Sequence, residues 1–198
     1  MWNQRYAKPG YLFGTEPAQF LTTHKQYFKA GKTALAVADG EGRNSVFLAQ
    51  NAMQVTAFDY SDIALEKAKT LASNNHVSIN FQLSDLESWD WQSTTYDIVI
   101  AIFIQFSPPK TRQQVFKDLQ KSVAPGGILM VHGYTPKQIE FGTGGPRAIE
   151  NLYTKELLKS SFSEMEILHL NSYEKIIQEG EGHSGKSALI DFIATKAI

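Results

Sequence analysis

Apolar periodicity divides most of the chain into alternating strand-like and helix-like segments. Short apolar runs typical of strands alternate, between residues 33 and 134, with segments whose apolar residues recur every three to four positions, as in helices. The predicted strands are 33–38, 53–59 (MQVTAFD), 76–85 (HVSINFQLSD), 96–106 (YDIVIAIFIQF) and 126–134 (GGILMVHGY). The predicted helices of this region are 43–51, 62–74 and 108–124, and a first helix is predicted before it over 15–28, with Thr15 as its N-cap. Such alternation implies right-handed crossovers and a mostly parallel sheet covered on both faces.

The last third of the chain follows a different pattern. A predicted helix over 154–162 precedes two strand-like segments, 164–177 and 187–197, with a glycine-rich loop between them and no helix. Two strands joined in this way must be antiparallel neighbours. We therefore expect a three-layer α/β sandwich with a mostly parallel seven-stranded sheet that ends in an antiparallel hairpin. No linker or repeat interrupts the pattern, so residues 1–198 are expected to form a single domain.

Composition narrows the possible partners. The 198 residues carry a formal net charge of -1, so the chain lacks the broad basic surface expected of a nucleic-acid-binding protein. There is no cysteine and no His-x-x-x-His pair, so we expect no metal site. The longest apolar run, 98–106, is too short to cross a membrane, and no signal peptide is visible, so a cytoplasmic protein is expected.

The turn after the first strand, ADGEGRN, is the first candidate for binding a ligand. Ligands of open α/β sheets bind beyond the carboxyl ends of the strands, where this turn lies. Gly40 and Gly42 allow a close approach of the backbone and dihedral angles that a side chain would disfavour. Glycine-rich strand-to-helix turns are common, however, and an ordinary core turn is the alternative.

Two acidic residues at later strand ends agree with a nucleotide-type ligand. Asp59 ends the second strand, 19 residues after Gly40, where a carboxylate can accept hydrogen bonds from ribose hydroxyls. A helix cap is the alternative role, although Ser61 already offers a cap. Asp85 ends the third strand and could accept a hydrogen bond from an adenine amino group, with Leu86 against the ring; a lone Asp before a loop is the alternative.

Taken together, these segments resemble the class I S-adenosylmethionine-dependent methyltransferases, in particular the small type related to tellurite-resistance (TehB-like) methyltransferases. The resemblance runs along nearly the whole chain. Its motifs are W..RY....YLFGTEP..FL, GEGRNSVFLA, VTAFDYS...LEKA, APGGILMVHGYTP, FGTGGP and GEGHSGKSALIDFIATK. It implies a Rossmann-like fold, S-adenosyl-L-methionine as cofactor and S-adenosylhomocysteine as product, with residues 1–30 as an N-terminal lid and helix segment.

The cofactor-binding residues expected on these grounds come from the lid, the first turn and the ends of the strands. They are Tyr6, Tyr11, Asp39, Gly40, Gly42, Arg43, Asn44, Asp59, Tyr60, Ser61, Asp85, Leu86, Ala101, Ile102 and Phe103. Plain packing is the alternative for the two lid tyrosines and for the 101–103 run.

The chain departs from the family pattern in the first motif. The acid usually found at the end of the first strand is replaced by Ala36, and the first glycine by Ala38. We hypothesise that Asp39 supplies the missing carboxylate and meets the amino group of the cofactor. The departure also motivates an alternative function, a catalytically silent protein that only binds S-adenosylmethionine.

The acceptor side offers three candidates for a catalytic base. His132 and Tyr134 follow the fifth strand, and His183 lies in the loop of the terminal hairpin. A satisfied core histidine is the alternative for His132, and ordinary turn chemistry for His183. A small-molecule acceptor is expected; no motif identifies it or the oligomeric state. An NAD(P)-dependent oxidoreductase, using Gly40, Gly42 and Asp59, is a third alternative that the terminal hairpin argues against.

Overall fold

A computed structural model describes residues 2–198. The strands are β1 (Thr33–Val37), β2 (Gln54–Asp59), β3 (Asn80–Leu83), β4 (Tyr96–Ile102), β5 (Val123–Tyr134), β6 (Met165–Glu179) and β7 (His183–Lys196). The helices are α1 (Trp2–Tyr6), α2 (Gln19–Thr23), α3 (Arg43–Gln50), α4 (Asp62–Asn74), α5 (Pro109–Ser122), α6 (Gln138–Phe141) and α7 (Lys155–Ser161), with 3₁₀ turns at Lys25–Tyr27 and Ile149–Asn151.

The seven strands form one mixed sheet in the order β3-β2-β1-β4-β5-β7-β6. β1 pairs with β2, β2 with β3, and β4 with β5 in parallel, whereas β5 and β7 are antiparallel. This arrangement confirms the predicted fold class, including the antiparallel hairpin at the end of the chain. Within the described part of the chain, no helix is long and apolar enough to cross a membrane.

The chain divides into two compact units. Of the described residues, unit 1 consists of 2–89 together with Glu179–Gly182, and unit 2 of Asp90–Gln178 with His183–Ile198. In unit 1, Val46 on α3 packs with the apolar face of α4, and the rings of Phe58 and Trp89 stack 4.3 Å apart. In unit 2, the buried ring of Phe162 packs 5.0 Å from the ring of Phe116 on α5 and 5.1 Å from that of Phe192 on β7.

Several predicted boundaries were wrong for local physical reasons. The helix predicted over 15–28 is replaced by α2 and the 3₁₀ turn Lys25–Tyr27, and Thr15 does not cap α2; the backbone N–H of Ala18 instead donates to Asn44 Oδ1 at 2.9 Å. The predicted third strand loses its first residues because His76, with φ +56°, ends the turn after α4. The helix predicted to residue 124 ends at Ser122, where β5 begins, so the APGG turn lies inside that strand.

The loop predicted over 178–186 is also shorter than expected. β6 continues to Glu179 and β7 begins at His183, which leaves a tip of three residues. Gly182 N in this tip donates to Leu12 O at 3.0 Å, and a Cβ on Gly180 would lie only 2.4 Å from Gly14 N. Backbone thus packs directly on backbone here, and only glycine fits.

Candidate active site

The β1–α3 turn, residues 38–42, requires glycine for two different reasons. Gly42 has φ +88°, and a Cβ there would lie 2.7 Å from the Cβ of Ala68 on α4. Gly40 has φ +61°, and a Cβ there would lie 2.8 Å from the hydroxyl oxygen of Tyr6. Gly42 therefore allows α3 and α4 to pack closely, and Gly40 leaves room for the lid tyrosine.

Asp59 ties the end of β2 to this turn. Its Oδ2 accepts a hydrogen bond from Gly40 N at 2.9 Å, and its Oδ1 accepts one from Ser61 N at 2.9 Å. The N-cap of α4 is Ser61, whose Oγ accepts from Ala64 N, so Asp59 is not the helix cap. Burial raises the pKa of Asp59, while the backbone donors oppose that rise. An ionised carboxylate has about four lone-pair sites, so Asp59 keeps capacity for a further donor beside its backbone partners.

Asp39 carries a buried oxygen without a partner. Within residues 2–198, nothing donates a hydrogen bond to its Oδ2. Burial raises the pKa of Asp39 to about 7, against the opposing effect of hydrogen bonds from Ser45. Ala36, where the family has its acid, is completely buried in β1. The turn thus holds one carboxylate that is open to a cationic donor, and that carboxylate belongs to Asp39.

The two lid tyrosines lie in different places. Tyr6 is 5% exposed, stacks on Trp2 at 5.7 Å and reaches Gly40 with its hydroxyl. Burial, and secondarily the charge of Asp59, raise the pKa of Tyr6 well above its usual range, so it stays protonated. Tyr11 donates to Lys67 O at 3.2 Å and packs on the outer side of α3 and α4.

Arg43 and Asn44 hold the N-terminal segment. The Arg43 guanidinium forms a 2.7 Å ion pair with Glu179 and donates to Glu16 O, and both charged side chains are at least nine-tenths buried. Asn44 accepts from the backbone of Ala18. Both side chains therefore form hydrogen bonds within unit 1, and no local sequence motif predicts these contacts.

Glu41 was missed by sequence reasoning. It is buried, accepts from Leu12 N at 2.7 Å and pairs with Lys67 at 2.8 Å. Because its partners are 29 and 26 residues away, the motif around the turn gives no signal for this role.

The remaining predicted residues of unit 1 lie near the end of β3 or after β2. Asp85 is exposed and accepts from Glu87 N and Ser88 N, and these donors lower the pKa of its carboxyl. Leu86 is buried, whereas Tyr60 is 47% exposed. Asp85 is thus ionised and fixed by its own turn.

In unit 2, three of the predicted residues surround a fourth. Phe103 adopts φ +56°, and its ring centre lies 4.1 Å from that of His183, 4.7 Å from His132 and 4.8 Å from Tyr134. We call these four residues the Phe103 cluster. Ala101, two residues earlier, is completely buried.

The polar groups of the Phe103 cluster are paired. The Tyr134 hydroxyl and His183 Nδ1 share a hydrogen bond 2.5 Å long. His132 Nδ1 lies 2.7 Å from Asp191 Oδ1, which also accepts from the Tyr173 hydroxyl at 3.2 Å. His132 therefore has the environment of a satisfied core histidine, whereas His183 is bonded to another candidate base.

Gln105 and Asp191 were missed by sequence reasoning. Gln105 Oε1 accepts from Tyr134 N at 2.6 Å, and its Nε2 donates to Tyr134 O at 2.8 Å, so this amide fixes the backbone of Tyr134. A glutamine within the otherwise apolar run 98–106 was a signal for a buried hydrogen-bonding role. For Asp191, a carboxylate in the apolar run of the last strand was the comparable signal.

Comparisons with known proteins agree with this geometry. Residues 34–127 match the family model described as a methyltransferase domain. The ribosomal protein L11 methyltransferase of Dictyoglomus turgidum is 26% identical over 87% of this chain and 54% of its own length. The ubiquinone biosynthesis O-methyltransferase of Coxiella burnetii is 29% identical over 62% of this chain and 51% of its own length. This chain thus spans about half the length of these relatives.

The structure of TehB from Haemophilus influenzae has the same fold. It superposes with a TM-score of 0.71 at 17% identity, covering 90% of this chain and 61% of that chain. The predicted resemblance is confirmed: residues 34–127 match a methyltransferase domain, and the chain has the fold of S-adenosylmethionine-dependent methyltransferases of known structure.

Proposed function

We propose that this protein binds S-adenosylmethionine at the β1–α3 turn and transfers its methyl group to a small-molecule acceptor. The unpartnered buried oxygen of Asp39 carries this proposal. A buried carboxylate oxygen without a donor is costly, and an ammonium group supplies both the missing hydrogen bond and the opposite charge. The amino group of the cofactor's methionine end is such a donor.

The neighbouring residues fit the rest of the cofactor. The carboxylate of Asp59 can accept from the ribose hydroxyls, and Asp85 with Leu86 follows the next strand for the adenine. Tyr6, protonated and placed against Gly40, would contact a ligand held in the turn. An aromatic face near a sulfonium contributes about 0.5–2 kcal/mol.

When bound, the cofactor supplies an electrophilic methyl group on a sulfonium. The residues of the chain position the donor and the acceptor, which is where much of the rate of such a displacement arises. An acceptor with a hydroxyl or amine must also lose a proton. We assign that proton to the Tyr134–His183 pair, because a 2.5 Å hydrogen bond allows the two groups to share a proton.

Two kinds of acceptor are suggested by the relatives. The name of the Coxiella burnetii relative specifies O-methyl transfer, and that of the Dictyoglomus turgidum relative specifies a ribosomal protein. We favour a small molecule with a hydroxyl group, since the candidate base is a buried phenol–imidazole pair. The proposal also keeps the sequence-based expectations of one domain and of a cytoplasmic protein.

Calorimetric titration tests cofactor binding. We expect S-adenosylhomocysteine to bind and NADH not to bind. Asp39→Asn and Asp59→Asn should each weaken binding about tenfold or more, because a hydrogen bond to a charged group contributes about 1.5–3 kcal/mol. Asp90→Asn, the same change at an exposed residue of unit 2, is the matched control and should leave the affinity unchanged. Failure of the wild-type protein to bind S-adenosylhomocysteine would contradict the proposal.

Release of S-adenosylhomocysteine tests the acceptor class. Phenols, thiols and amines are supplied in one series, and ribosomal protein extract in another. Turnover with a phenol supports the small-molecule acceptor, and turnover only with the extract contradicts it. Binding without turnover in either series would favour the silent binding protein.

A further inference from the structure

The outer edge of the sheet at β6 is unusually long. β6 contains 15 residues and stands last in the strand order, and within residues 2–198 no strand pairs with its outer side. The opposite edge strand, β3, contains four residues. Proteins usually keep edge strands short, charged or covered, because an open edge is a template for pairing with another chain.

This edge also exposes apolar side chains. Ile176 is 69% exposed, Leu168 41% and Ile167 38%, and they lie towards the two ends of the strand. In runs 166–168 and 174–176 consecutive residues are exposed, so both faces of the strand are open there. Such positions become favourable if a second strand covers them.

The sequence of β6 is complementary to itself in one register. Two copies related by a two-fold axis perpendicular to the sheet pair antiparallel, with directly opposite side chains on the same face. Ser172 is the midpoint of β6, so an axis at Ser172 overlaps the two strands from end to end. Ile176 then lies opposite the partner's Leu168, and Ile177 opposite the partner's Ile167.

Neighbouring registers lose this match. An axis at Asn171 would place Ile176 opposite Glu166 and Leu168 opposite Glu174, which sets apolar side chains against charges. A net charge of only -1 offers little long-range repulsion between two copies. The register centred on Ser172 is therefore the one in which all three exposed apolar residues meet apolar partners.

We propose that the protein forms a homodimer in which β6 pairs with β6 of a second copy about a two-fold axis at Ser172. This proposal concerns assembly and is independent of the cofactor and the acceptor. The sheets of the two copies then continue into each other across the axis.

Sedimentation velocity over a wide concentration range tests the assembly. We expect a species of twice the 22.1 kDa chain mass in wild type, and a monomer for Ile176→Lys. Leu83→Lys, the matched change at an exposed residue of the other edge strand, should remain dimeric. Circular dichroism establishes that both variants are folded. A monomeric wild type, a dimer that survives Ile176→Lys, or dissociation by Leu83→Lys would each overturn the proposal.

Disulfide cross-linking tests the register. The chain has no cysteine, so Ser172→Cys introduces a single thiol. Opposite residues in a pair have Cβ atoms about 4.5–5.5 Å apart, close to the range of a disulfide, so oxidation should yield a covalent dimer. Gln178→Cys is the control, because in this register its copy lies about 40 Å away along the strands. Equal cross-linking of both variants, or none at Ser172→Cys, would overturn the register.

Discussion

The β1–α3 turn of unit 1 and the Phe103 cluster of unit 2 satisfy their buried polar groups in opposite ways. In the turn, carboxylates are held by backbone N–H groups, and one oxygen of Asp39 has no partner within the described residues. In the Phe103 cluster, each candidate base is bonded to another side chain. The first region is preorganised to receive a cationic donor, and the second to hold and share a proton. Under the proposed function, this difference assigns cofactor binding to the β1–α3 turn and proton transfer to the Phe103 cluster.

The largest expected effect lies in the Phe103 cluster. His183→Ala and Tyr134→Phe should each lower kcat with a hydroxyl acceptor about 100-fold or more, since general-base catalysis contributes about 10²–10⁴-fold. The affinity for S-adenosylhomocysteine should stay unchanged, which calorimetry measures beside the kinetics. His76→Asn, at an exposed histidine, is the control. If these two variants lost affinity for S-adenosylhomocysteine as strongly as they lost kcat, the Phe103 cluster could not be separated from the cofactor-binding turn.

A smaller effect separates His132 from His183. Asp191→Asn leaves the buried His132 with an altered partner and should lower the free energy of unfolding by about 1–3 kcal/mol. Because Asp191 supports the core and is not assigned a proton, kcat should fall far less than in His183→Ala. Urea denaturation measures the free energy of unfolding of Asp191→Asn, and kinetics on the same sample measure its kcat. A loss of turnover without a loss of stability would instead place His132 in the chemistry.

The smallest effect concerns pH and tests the turn. Burial raises the pKa of Asp39 to about 7, so this carboxylate becomes protonated as pH falls below neutrality. A ligand ammonium prefers the ionised form, so the affinity for S-adenosylhomocysteine should fall about tenfold from pH 8 to pH 6. Asp39→Asn should abolish this dependence. Calorimetric titration at several pH values measures it, and a flat profile in wild type would show that Asp39 does not meet the ammonium.

The raised pKa of Asp39 has the opposite effect on protein stability, which decreases as pH rises. A carboxyl whose pKa is raised in the folded state binds more protons folded than unfolded, so its contribution to stability decreases as pH rises from about 4 towards 8. Asp39→Asn should therefore raise Tm at pH 8 while it weakens ligand binding. Thermal unfolding at pH 5 and pH 8 measures the difference, and an equal or lower Tm at pH 8 would contradict it.

The sequence predicted the turn better than the cluster because of the distances involved. Gly40 and Asp59 are 19 residues apart in adjacent strand-turn units, so spacing along the chain placed them together. The pairs His132–Asp191 and Tyr134–His183 span 59 and 49 residues and depend on the register of β5 against β7. Periodicity predicts such strands and their pairing, but it does not determine their register.

Arg43 shows the same limit inside a motif. Its position in GEGRNSVFLA predicts a cofactor-binding residue, and this stays a prediction; the motif gives no signal for the ion pair of its guanidinium with Glu179, 136 residues away. Likewise the first helix is shorter than predicted. The backbone N–H of Ala18, which a cap at Thr15 would have bound, donates instead to the distant side chain of Asn44. In both cases a distant partner decided the local structure.

The contact between Tyr6 and Gly40 has a consequence for evolution. A Cβ at position 40 would lie 2.8 Å from the Tyr6 hydroxyl oxygen, so the two positions cannot enlarge independently. A side chain at position 40 requires the tyrosine ring to move or to be replaced by a shorter residue. Among homologues, substitutions at these two sites should therefore occur in pairs, although 34 residues separate them along the chain.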